Sequence, residues 1–134
     1  MKSSLTTTFL FLSGLLLLTV GSAILLIPHV FYAYDGILLG SDPSLLSEIR
    51  ASGGLLTGGA LLILIGAVRP TLRLLAMTIN ILIYGSFGLS RLLGLAMDGM
   101  PSSSLLMATV VELTVACIGL IILYRQPNTS STTN

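Results

Sequence analysis

The stretch LLMATVVELTVACIGL, residues 105–120, decides the class of fold. With its flanks it extends over 102–124, and about 20 apolar residues at roughly 1.5 Å per residue are enough for a helix to cross a bilayer. Glu112 is the one charged residue in the stretch. An ionised side chain facing lipid near the bilayer centre costs about 2.5–3.5 kcal/mol on insertion scales. Glu112 is therefore predicted to face the interior of a helical bundle.

The composition of the whole chain agrees with a membrane location. Of the 134 residues, 54% are hydrophobic and only 8% are charged, and the mean hydropathy is +1.02. Soluble domains carry about 25% charged residues. The net charge of +1 gives no basic surface for nucleic acid, and Cys117, the single cysteine, excludes an internal disulfide. The sequence predicts no metal, no cofactor and no nucleic-acid partner.

Four apolar stretches are long enough to span a bilayer, at about 5–27, 48–68, 72–97 and 102–124. Helix-ending signals separate them, namely Pro28, Asp42-Pro43, Arg69-Pro70 and the sequence DGMP at 98–101. The prediction is an all-α fold, a four-helix transmembrane bundle forming a single domain over residues 1–125. The polar tail 126–134 is predicted to be disordered.

The first stretch has an alternative interpretation. Lys2, the apolar run and Gly21-Ser22-Ala23 also fit a cleavable signal peptide. The apolar character continues past that point to Ile27, which favours a retained span.

Charged residues in the connections predict the orientation. Basic residues fall on one side of the four spans, at Lys2, Arg69, Arg73 and Arg125. Acidic residues fall on the other, at Asp35, Asp42 and Asp98. Because basic residues favour the cytoplasmic side, both termini are predicted to be cytoplasmic.

A partner for Glu112 is predicted on the third span. Counted along each helix from the outer end, Arg91 lies about 9 Å deep and Glu112 about 16 Å deep. Side chains lean toward the N-terminus of their helix, so Arg91 leans inward and Glu112 leans outward. The two groups are expected to meet. Asn80 is deeper and leans away, so it is not expected to bond Glu112.

Other polar residues complete the predicted site. Arg50 is expected to add positive charge and Tyr84 an aromatic wall, with Glu48 and Asp98 at the rim. Gly54 and Gly58 form a small-xxx-small pair that allows a helix to approach closely, within the bundle or between copies. The inner half looks almost entirely aliphatic, so the site is predicted to open outward as a pocket.

The segments EIRASGGLLTG (48–58) and SRLLGLAMDGMP (90–101), together with Glu112, resemble a bacterial domain family of unknown function. That group of four-span membrane proteins is similar to the DoxX-like superfamily, and the likeness covers roughly residues 9–124. The resemblance implies a four-helix fold in the bacterial inner membrane. DoxX-like relatives include accessory subunits of membrane oxidoreductases.

The function remains open between several hypotheses. No catalytic triad, metal cluster or dinucleotide motif is evident, which favours a non-enzymatic protein. Arg91 and Glu112 either fasten two helices or form the centre of a binding site. The first hypothesis for function is an accessory or small-molecule-binding protein that takes a lipid headgroup or quinone-like ligand. The alternatives are a membrane redox subunit and a proton-coupled transporter. Another membrane protein, or a second copy, is an open partner.

Overall fold

The chain forms four long helices and two short helical segments. In a computed structural model that describes residues 3–125, the α-helices are α1 (Ser3–Leu26), α2 (Pro28–Ala33), α3 (Pro43–Val68), α4 (Arg73–Asp98) and α5 (Ser103–Tyr124). A 3-10 turn at Pro70–Leu72 precedes α4. Four of the helices, α1, α3, α4 and α5, are long and apolar enough to cross a membrane. The all-α, four-span prediction is confirmed, and the tail predicted at 126–134 lies outside the described residues.

Local sequence signals explain most of the helix ends. Asp42 caps α3 by accepting a hydrogen bond from the backbone N–H of Ser44 at 3.0 Å, and Pro43 occupies the first helical position. The helix therefore starts five residues before the predicted apolar stretch. Gly99 ends α4 with a φ of +98°, a conformation that glycine adopts without a steric penalty. The short helix α2 was not predicted.

The four spans pack side by side in chain order. α1 packs along α3, α3 along α4, and α4 along α5, whereas α3 and α5 do not touch within the described chain. α1 also contacts α4 across the bundle, and the remaining side, between α1 and α5, is only sparsely packed. Three seams of the bundle are thus closed by extensive contact and one is not.

The two ends of the bundle are distinguished by the helix ends and connections that lie at each. Phe9, near the start of α1, lies against Gly119, near the end of α5, and a Cβ on Gly119 would be 3.4 Å from Phe9 Cζ. We call this end, which contains the start of α1 and the end of α5, the terminal end. The opposite end, with α2 and the connections 34–42 and 99–102, is the loop end. The prediction that the terminal end is cytoplasmic stays a prediction.

Glycine lets α1 and α3 approach closely, at Gly53 on the α3 side. A Cβ at Gly53 would be 2.6 Å from the backbone nitrogen of Leu25. Gly54 and Gly58, the predicted pair, have no atoms within 4 Å of a Cβ position, so they do not serve packing within the chain. The face of α3 turned to α1 follows Gly53, Leu56 and Ala60, which leaves the predicted pair about one residue out of register.

Candidate functional site

An ion pair joins α4 to α5. Arg91 Nε donates to both carboxylate oxygens of Glu112, at 2.9 Å to Oε2 and 3.2 Å to Oε1. The Arg91 side chain is 31% exposed and that of Glu112 is 15% exposed. The predicted contact between these two side chains is confirmed. Among residues 3–125 it is the single salt bridge between side chains.

Most of the Arg91 guanidinium is left without a partner. A guanidinium carries five N–H donors. Only the Nε–H is used, and neither Nη1 nor Nη2 bonds to any of the described residues. Polar groups inside a bilayer are costly unless they are hydrogen-bonded. The Nη groups therefore require an acceptor that residues 3–125 do not supply.

Helical register turns the pair toward α1. Arg91 lies seven residues after Tyr84, which is two turns along the same face of α4, and the Tyr84 hydroxyl bonds to α1. Glu112 lies seven residues before Gly119, where a Cβ would be 2.8 Å from Ile81 of α4 and 3.4 Å from Phe9 of α1. Arg91 thus lies on the face of α4 turned to α1, and Glu112 on a face of α5 that borders both α4 and α1.

Gly88 brings the two helices together at this level. A Cβ on Gly88 would be 2.7 Å from Leu113 Cδ2, so a larger residue would push α5 away from α4. Leu113 is the neighbour of Glu112, and Gly88 precedes Arg91 by less than one turn. The close approach at Gly88 positions the guanidinium and the carboxylate within hydrogen-bond distance.

Arg50 is not part of this cluster. Its Nη1 donates to the carbonyl oxygen of Leu25, near the end of α1, and its side chain is exposed. That contact satisfies one of the carbonyls that a helix C-terminus leaves unpaired. Since α3 and α5 do not touch in the described chain, Arg50 does not accompany Glu112. The ion pair by itself is formally neutral, and the contribution of positive charge from Arg50 to the site stays a prediction.

Tyr84 is almost completely buried, with 4% of its surface exposed. Its hydroxyl donates to the backbone carbonyl of Ser13 at 2.7 Å. The hydroxyl is thus committed to α1, and the ring is packed in the core rather than presented at the surface of a pocket. The two predicted rim residues, Glu48 and Asp98, are exposed near the loop end.

A buried polar network between α1 and α4 was missed by the sequence analysis. Asn80 is fully buried, and its Nδ2 donates to Ser13 Oγ at 2.5 Å. Nearer the terminal end, Arg73 Nη2 donates to Thr7 Oγ1 at 3.1 Å. The expectation of an aliphatic inner half is therefore wrong. Thr6 and Ser13, seven residues apart on α1, were the signal that could have indicated a polar face.

A hydrogen bond at the loop end joins the connection after α2 to the start of α5. Ser104 Oγ, in the first turn of α5, donates to Asp35 Oδ1 at 2.5 Å. Asp35 follows α2, which itself packs on α1 and α3. The contact therefore links the connection after α2 to the start of α5.

Removing the Tyr84 hydroxyl is expected to weaken the α1–α4 contact modestly. Tyr84→Phe should lower the free energy of unfolding by about 0.5–1.5 kcal/mol, since it deletes one buried hydrogen bond. Tyr124→Phe is the matched control, because Tyr124 is 96% exposed. Reversible unfolding in mixed micelles checks both, and equal stabilities of the two variants would contradict the assignment.

The fold defines a class: four apolar helices of spanning length are those of a multi-pass helical membrane protein, and one ion pair joins two of them. Residues 5–123 match DUF4345, a domain of unknown function, and the chain belongs to that family. No curated protein and no solved structure is similar enough to match. A relationship to DoxX-like proteins, and a location in a bacterial inner membrane, stay predictions.

Proposed function

We propose that this protein is an accessory membrane protein that binds an amphiphilic molecule through the free N–H groups of Arg91. The observation that carries the proposal is the combination of partial exposure and missing partners at the Arg91 guanidinium. Asn80, by contrast, is completely buried. An Arg91 that served only to fasten α4 to α5 would have no need of an exposed face with unpaired donors.

The chemistry of the pair selects an oxygen acceptor. Glu112 neutralises Arg91, and Arg50 is engaged with α1, so net charge does not attract an anion strongly. The Nη groups offer parallel donors that suit carbonyl, ester or phosphodiester oxygens. Such oxygens occur in lipid headgroup regions and in quinone-like rings, which share this hydrogen-bonding chemistry.

The depth of Arg91 limits how a lipid can be held. α4 has 26 residues and is therefore about 39 Å long, whereas the hydrocarbon core is about 30 Å thick. If α4 is centred, each end extends about 4–5 Å beyond the core, and the Arg91 backbone lies about 6 Å below its boundary. The guanidinium leans inward from that depth to meet Glu112, so a glycerolipid of the leaflet at the loop end would bind it with its ester or phosphodiester oxygens drawn below the boundary.

The test is the identity of the molecule that stays bound after mild extraction. The protein is extracted with its surrounding lipid by a styrene–maleic acid copolymer and transferred to a gentle detergent, and bound masses are measured by native mass spectrometry. We expect one retained glycerolipid on the wild type. Arg91→Lys should lower retention at least about tenfold, equivalent to about 1.4 kcal/mol, because lysine keeps the pair with Glu112 but lacks the Nη fork.

Arg50→Gln is the matched control, since it removes a second guanidinium near the loop end that is already engaged with Leu25. It should retain the lipid. A wild type without bound amphiphile, or equal retention in Arg91→Lys, would overturn the proposal. A retained quinone-like ring in place of the lipid would overturn the lipid assignment and favour the role of a redox subunit.

A further inference from the structure

The fourth seam of the bundle, between α1 and α5, adjoins the helices that carry Arg91 and Glu112. The other three seams are closed by extensive helix packing. Arg91 lies on the face of α4 turned to α1, and Glu112 on a face of α5 that borders both α4 and α1, yet both side chains remain partly exposed. The side between α1 and α5 has the sparsest helix contact, so it is the side least able to cover the pair.

Helical register identifies what α1 presents at the level of the pair. Phe9 contacts Gly119 near the terminal end, and two turns further along, α1 brings Leu16 opposite Glu112. Likewise Ser13 bonds Tyr84, and two turns further Val20 comes opposite Arg91. Leu16 and Val20 are aliphatic. The α1 side of the seam thus offers hydrocarbon and no acceptor for the guanidinium.

The α5 side of the seam is also apolar and has little bulk. Ala108 lies one turn from Glu112 toward the loop end and is partly buried. At the loop end itself, Asp35 and Ser104 are joined by their hydrogen bond. With that bridge above and the Phe9–Gly119 contact below, the opening faces sideways, toward the membrane.

We propose that the α1–α5 seam is a lateral groove for one acyl chain of a glycerolipid from the leaflet at the loop end. The proposal rests on the proposed function, because the ester or phosphodiester oxygens of the same lipid bind Arg91. A hydrocarbon chain matches Leu16, Val20 and Ala108. The lipid oxygens match the free Nη groups. One lipid molecule thus contacts the apolar residues with its chain and Arg91 with its oxygens, and it enters the groove directly from the membrane.

Two adjacent leucines provide a matched test. Leu16 is 42% exposed and is assigned to the groove, whereas Leu15 is 47% exposed and lies about 100° away around α1, on the lipid side. Leu16→Trp fills the groove, and Leu15→Trp adds the same bulk outside it. Thermal unfolding establishes that both variants are folded before binding is measured.

Binding is measured on delipidated protein in amphipol, with phosphatidylglycerol carrying hexanoyl, decanoyl or palmitoyl chains as the probe. In the wild type, affinity should rise with chain length, as each buried methylene contributes. Leu16→Trp should lower the affinity for the palmitoyl lipid at least about tenfold, or about 1.4 kcal/mol, and should flatten the dependence on chain length. Leu15→Trp should follow the wild type.

Arg91→Lys separates this proposal from the proposed function. It should lower affinity by a similar factor at every chain length, since it alters the polar end. If Leu16→Trp behaves as Leu15→Trp while Arg91→Lys still loses affinity, the groove is refuted and the proposed function stands. If Arg91→Lys has no effect while chain length still matters, the proposed function fails. A wild type that is dimeric, together with a monomeric Leu16→Trp that binds lipid as the wild type does, would assign the seam to contact between copies and overturn the groove.

Discussion

Arg91→Met is expected to lower the free energy of unfolding by about 2–4 kcal/mol, and Glu112→Leu by a similar amount. Each substitution leaves the other charged group partly buried within the spans without its partner. In Arg91→Met the unpaired Glu112 can become protonated and so lose its charge. The loss of stability is therefore smaller than for a charge that stays ionised and buried. The measurement is reversible unfolding in mixed micelles at neutral pH.

The double variant Arg91→Met with Glu112→Leu distinguishes a pair from two independent residues. Because both charges are then gone, it should recover at least half of the stability lost by the worse single variant. Glu48→Gln serves as the control, since Glu48 is an exposed acid and should change stability by less than about 0.5 kcal/mol. Simple additivity of the two single substitutions would contradict coupling between Arg91 and Glu112.

Gly53→Ala is expected to have the second large effect, a loss of about 1–3 kcal/mol. The new Cβ would lie 2.6 Å from the backbone nitrogen of Leu25 and 3.0 Å from the carbonyl oxygen of Gly21, so it meets the backbone of α1. Backbone atoms cannot rotate away as a side chain does. Relief requires α1 and α3 to separate along their most extensive seam. The same unfolding assay measures this loss.

Gly54→Ala is the neighbouring control with the opposite expectation. No atom lies within 4 Å of its Cβ position, and alanine is favoured over glycine in a helix by about 1 kcal/mol. Gly54→Ala should therefore leave stability unchanged or raise it slightly. If Gly54→Ala lowered the free energy of unfolding more than Gly53→Ala, the assignment of the α3 face that packs against α1 would be wrong.

The spans could be predicted from sequence because their signals are local. Length and hydropathy locate a transmembrane helix without knowledge of its neighbours. Asp42-Pro43 marks the start of α3, and Gly99 marks the end of α4, through the conformations that capping requires. The one helix missed, α2, has only six residues, which is too short to give a periodic pattern.

The Arg91–Glu112 contact could be predicted for a related reason. Both residues are on consecutive spans joined by a short connection, so adjacency and relative depth follow from chain order and helical rise. The position of Arg50 did not follow in this way. Its partner is a backbone carbonyl on α1, and every residue has such a carbonyl, so the sequence does not indicate which one is used.

The contact between α1 and α4 was the least predictable part of the bundle. These helices are not consecutive spans, so nothing local indicates that Ser13 and Asn80 meet. The use of Gly53 within the bundle, and not of Gly54 and Gly58, has a similar origin. A small-xxx-small spacing identifies a helix face that permits close approach, but the neighbour that uses a glycine is set by the whole bundle.

The most direct test of the account is a distance between Arg91 and Glu112 in a lipid bilayer. Dipolar recoupling by solid-state NMR reports the separation between arginine Nε and glutamate Cδ. The Glu48→Gln variant leaves Glu112 as the single glutamate in the chain. We expect a strong coupling, because Nε lies 2.9 Å from a carboxylate oxygen, and we expect it to disappear in Arg91→Lys. The absence of coupling, or a coupling that survives Arg91→Lys, would contradict the existence of the site.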